Sequence, residues 1–152
     1  MCRPKTGARA NVAQLGTIAR RTTTPGIVHV VFEMTSDGTG VFKTSDIKGD
    51  NDYVKAIVTD GLPTGVFAVT LKTKCVRFAY IDISTQHPAP TYYGAGAKFI
   101  VRAAFPEGPN PDQPVAFASF GYRDTTDTIV APPPNLTVTV RLDIQTMQTR
   151  TR

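Results

Sequence analysis

Residues 136–144 read LTVTVRLDI, and the alternation is strict. Leu136, Val138, Val140, Leu142 and Ile144 fall on one side, and Thr137, Thr139, Arg141 and Asp143 on the other. Successive side chains of an extended chain point to opposite faces, so a period of two specifies a strand with one face in a core and one in water. A helix would scatter the same apolar residues around its axis. A half-buried strand is not stable alone, so the rest of the chain must supply sheet neighbours and a second layer.

It does so repeatedly. Residues 27–34 (IVHVVFEM) form a β-branched run that is apolar on both faces and so predicts a strand covered on both sides. Residues 36–40 (SDGTG) make a turn, and residues 41–44 a short extended piece. Further strands are expected at 53–59, 66–71, 75–84, 98–105 and 115–122, with Phe67, Val69 and Leu71 sharing one face. The few residues between 66–71 and 75–84 predict an antiparallel hairpin. Glycine and proline number 12 each and threonine is the commonest residue, a composition that favours pleated strands and tight turns. Residues 106–114, with four prolines, and Pro132-Pro133-Pro134 are irregular breaks. Only residues 8–18 offer a short helix. The expected fold is all-β: an antiparallel β-sandwich, jelly-roll-like, with an extended N-terminal arm; a closed small barrel is the alternative.

The charge is unevenly placed. The formal net charge is +5, and residues 1–24 carry Arg3, Lys5, Arg9, Arg20 and Arg21 with no acid. The remainder, residues 25–152, is electrically balanced. A basic segment poor in large apolar side chains cannot offset its own ordering entropy, so residues 1–24 are expected to be an arm that orders against an acidic partner. The sandwich domain is expected over residues 25–152. The body has no basic stripe and no aromatic residues interleaved with Lys or Arg, so nucleic acid is not the expected partner. No apolar run approaches a membrane span, and residues 1–5 (MCRPK) lead into no signal-peptide core.

Reaction chemistry is not expected, nor any cofactor. The two histidines, His29 and His87, have no partner by spacing, and G-x-S-x-G, P-loop and G-x-G-x-x-G motifs are absent. Asp46, Asp50, Asn51 and Asp52 cluster hard oxygens, but not at the spacing of an EF-hand loop, so no metal site is predicted. Glu33 and Glu107 are the only glutamates and neither sits in a context for glycoside hydrolysis. Cys2 and Cys75 make no zinc or disulfide framework; Cys75 is expected in the core. Asn135-Leu136-Thr137 is a sequon, relevant only on a secretory route. Tyr92-Tyr93 is the one pair suited to stacking on a sugar, which keeps a carbohydrate-binding module among the alternatives.

The segments GVFAVTL (65–71), CVRFAYIDIS (75–84), FIVRA (99–103) and NLTVTVRL (135–142) together resemble small virion proteins of tailed bacteriophages, over residues 26–147. The resemblance implies a capsid decoration, or cement, protein. It would bind the major capsid protein and stabilise the shell, be trimeric at local three-fold positions, and use the arm residues Arg3, Lys5, Arg9, Arg20 and Arg21 as a clamp. It would carry no catalytic residues, metal or cofactor, and would be assembled in the host cytoplasm into the virion. A tail or head-fibre component contacting the host is the near alternative.

Overall fold

The computed structural model describes residues 26–49, 52–88, 97–108, 112 and 115–146. In chain order its strands are β1 (Ile27–Thr35), β2 (Lys48–Gly49), β3 (Val54–Val58), β4 (Val66–Leu71), β5 (Arg77–Gln86), β6 (Lys98–Phe105), β7 (Phe117–Arg123) and β8 (Thr137–Gln145). They form two antiparallel sheets, ordered β2-β1-β8-β5 and β3-β4-β7-β6. The expected β-sandwich is what the chain folds into. The arm, residues 1–24, and the possible helix at 8–18 lie outside the described residues.

The alternation of β8 predicts its environment closely. Val138, Val140 and Leu142 are completely buried, and Leu136 and Ile144 nearly so. Opposite them Phe67, Val69 and Leu71 of β4 share the inner face of the second sheet, and all three are buried. The centre of the sandwich is aromatic. Phe42 meets Phe67 at 5.0 Å between ring centroids, Phe67 meets Phe120 at 5.3 Å, and Phe99 meets Tyr122 edge-on at 5.2 Å. Such tilted and edge-on pairs add to the area they bury.

Three expectations are corrected. Residues 66–71 and 75–84 do not form a hairpin. Leu71 N–H donates to Ala116 O and Lys72 N–H to Tyr53 O, which holds the end of β4 in the second sheet. Val76 N–H then donates to Gln145 O, which starts β5 beside β8 in the first. The short link is thus a crossing between layers. Next, the extended piece expected at residues 41–44 stops short: Lys43 is extended, but Thr44 opens a single 3-10 turn, Thr44–Asp46, in which Asp46 Oδ2 accepts the Lys43 N–H while Phe42 plugs the core. Lastly, β1 is covered on one face only. Val28, Val30, Phe32 and Met34 are buried, but Val31 is 41% exposed and Glu33 and Thr35 face solvent.

One end of the sandwich is sealed by backbone packed against backbone. Gly65 has φ +87°, and a Cβ there would lie 2.0 Å from Val130 O. The loop after β7 folds back onto this point, with Val130 N–H on Tyr122 O and Tyr122 N–H on Gly65 O. Only glycine permits both the conformation and the approach.

Candidate functional site

The outer face of the first sheet is a ladder of cross-strand rows. Register places His29, Asp143 and Tyr80 side by side, then Val31, Arg141 and Asp82, then Glu33, Thr139 and Ser84. Asp143 is the one carboxylate on this face that is buried, at 6% exposure. His29 Nδ1 donates to its Oδ1 at 2.6 Å, Arg141 Nη2 to its Oδ2 at 3.0 Å, and Arg141 Nε to Oδ1 at 3.2 Å. Burial pushes the Asp143 carboxyl up, but the hydrogen bonds from Arg141 and His29 outweigh it and hold it below the usual carboxylate range. The Arg141 guanidinium also stacks over Tyr80, 5.3 Å from the ring centroid. His29, Asp143, Arg141 and Tyr80 are thus engaged with one another across β1, β8 and β5.

The other histidine is also structural in its setting. His87 is buried and donates from Nε2 to Pro134 O at 3.0 Å, tying the end of β5 to the proline segment before β8. Among the acidic candidates, Asp46 caps its own turn. Asp124 accepts from the backbone of Thr126 and Thr128 and from the Thr126 hydroxyl. Among the described residues, no three His, Cys, Asp or Glu side chains are grouped to hold a metal ion. Asp50, Asn51, Tyr92 and Tyr93 lie outside the described residues. Glu33 faces solvent on β1, and Glu107 lies beyond the end of β6, so fold topology does not pair the two glutamates.

The feature that remains is a flank. Beside the start of β5 and the end of β6 lies an open groove of 570 Å³, lined by Lys74, Cys75, Val76, Phe105, Pro106 and Glu107. Val76 is 50% exposed and Phe105 44%, and the two line the same groove. Phe105 stacks on Phe117 at 5.0 Å, which holds its ring outward. An exposed ion pair, Lys74 Nζ to Glu107 Oε1 at 3.3 Å, borders the groove, and Cys75 N–H donates to Pro106 O at its floor. Cys75 itself is buried, as expected, and burial raises its thiol above the ordinary range. A raised thiol holds little thiolate, so Cys75 is suited to packing and not to nucleophilic attack.

Sequence reasoning picked out none of the groove. Its apolar members lie just before β5 and at the end of β6, which come together only through a layer crossing, and no local pattern marks that. The residues it did pick out for partner binding, Arg3, Lys5, Arg9, Arg20 and Arg21, lie outside the described residues. The root of that segment is nonetheless placed: Thr146 N–H donates to Gly26 O, and Val76 N–H to Gln145 O. Gly26 therefore lies at the end of the sandwich where the groove opens, with β8 between. Among the described residues, no helix is long and apolar enough to cross a membrane. No family model matches this chain, and no curated protein or solved structure matches it either.

Proposed function

We propose that the chain is a structural subunit of a tailed-phage particle, of the decoration type, which binds the major capsid protein and further copies of itself. The observation that carries this reading is the exposed apolar flank at Val76 and Phe105, set at the same end of the sandwich as Gly26, in a chain whose residues 1–24 are cationic in sequence. Exposed apolar surface bordered by polar groups marks an interaction site. A cationic segment beside it adds reach and steers the encounter with an anionic surface. Together they suit a module that grips a larger assembly. Asp143 on the outer face and His87 just past the end of β5 suit the same reading, since they hold strands and loops together.

The test is co-sedimentation with empty shells of the major capsid protein of the same phage. The full chain pellets with the shells. Phe105→Ala reduces the bound fraction at every salt concentration. Arg20→Ala with Arg21→Ala reduces it chiefly at low salt, because exposed charges are screened within about 10 Å at 0.1 M ionic strength. A full chain that stays in the supernatant at micromolar concentration overturns the proposal.

A further inference from the structure

The geometry points to β5 as an interface for a second copy of this chain, joined edge to edge so that the first sheets of two sandwiches become one. Each sheet has two edge strands, and an open edge invites pairing unless something blunts it. The other three edges are short, broken or charged. β2 is two residues long and pairs only with Phe32 and Glu33, so the longest open run of that edge is five residues, 27–31 of β1. β3 is five residues long, with a register break at the exposed Lys55. β6 breaks register at Arg102 and begins with Lys98.

β5 differs. Its own register break lies near its start, between Phe78 and Tyr80. From Tyr80 to Gln86 it runs in unbroken register along β8, with no lysine, arginine, proline or glycine. Among the described residues no strand pairs with its far side; β6 packs beside it at the flank without a ladder between them. Its inward residues Ile81 and Ile83 are only half-buried, as they would be at a boundary awaiting a neighbour.

Self-pairing has a natural register. A two-fold axis through Ile83 sets Ile83 opposite its own copy, Ile81 opposite Thr85, Asp82 opposite Ser84 and Tyr80 opposite Gln86. The segment YIDISTQ carries one charge, and this register places that charge opposite a hydroxyl able to donate to it. A register centred on Asp82 would instead set two carboxylates face to face, which is destabilising. A two-fold contact of this kind is isologous and closes on itself. It yields dimers, where the three-fold seat implied by the phage resemblance requires trimers. The inference does not rest on binding to a shell.

Ser84 gives a test of sign. It is exposed and opposite the neutral Thr139 on β8, so substitution there spares the sandwich itself. Sedimentation equilibrium of the full chain gives a mass twice that of one chain. Ser84→Asp sets a second carboxylate opposite Asp82 of the partner subunit at two symmetric places, and weakens the dimer about tenfold at low salt. Ser84→Lys tightens it. Circular dichroism matching the parent confirms that each variant is folded. In a background lacking Cys2 and Cys75, mixing Asp82→Cys with Ser84→Cys chains gives disulfide-linked heterodimers in preference to either homodimer. A monomer at all concentrations, a trimer, or two Ser84 variants that shift association in the same direction overturns the inference.

Discussion

Asp143 is where the period of two parts company with solvent exposure. By position it belongs with Thr137, Thr139 and Arg141 on the wet face of β8, yet it is buried. The cause is its neighbours in the row and along the strand, His29 and Arg141, which cover it and donate to both its oxygens. An alternation pattern fixes the face and says nothing of what stands beside it on the next strand. The consequence is measurable. Asp143 ionises more readily in the folded chain than in the unfolded one, so the stability it contributes is present above the unfolded value, about pH 4, and disappears as the pH falls through the folded value. Asp37 and Asp124 are lowered as well, by hydrogen bonds within their own turns from Thr39 and from Thr128 and Thr126, so part of the acid sensitivity is independent of Asp143. Asp143→Asn is expected to cost about 1–3 kcal/mol at pH 7, by leaving buried donors poorly matched. It is also expected to flatten the fall in melting temperature below pH 4. Thermal melts of parent and variant between pH 7 and pH 2.5 decide it, and parallel curves over the acid branch would contradict the assignment.

At the scale of elements, β8 carries the first sheet. It lies between β1 and β5, pairs with both along its whole length, and turns four apolar side chains into the core. Leu142→Ala is expected to cost 2–5 kcal/mol, as large-to-small changes at closed core positions do. Thr139→Ala, one turn of the pleat away on the outer face, should stay within about 0.5 kcal/mol. Urea unfolding of both variants tests the contrast. The sequence made this strand legible because its pattern is local: period, length and the proline stop before it are all contiguous. Which strands pair is different. The link between β4 and β5 is short enough for a hairpin, and its true course is set by Tyr53, Ala116 and Gln145, residues remote along the chain that accept its hydrogen bonds. The groove at Val76 and Phe105 was hidden for the same reason, since it exists only once β5 and β6 meet at a corner that this crossing creates.

The whole molecule divides its labour by charge. The part from residue 25 onward is neutral overall and completes its own core, with hydrogen bonds closing its ends at Gly26 and Gly65. Among the described residues, Val28, Val30, Phe32 and Met34 of β1 already share one buried core with side chains of β8 and of the second sheet. Removal of residues 1–24 should therefore leave the melting temperature within a few degrees of the parent, while taking away five positive charges and no negative ones. For a domain of this size a shift of that order corresponds to about 1 kcal/mol. The same deletion should abolish the salt-sensitive share of shell binding and leave the share that depends on Phe105, which is apolar and unscreened. Melting curves and salt-titrated co-sedimentation of the shortened chain separate the two contributions. A collapse of the melting temperature would place residues 1–24 in the core of the fold and remove the basis for treating them as a separate binding element.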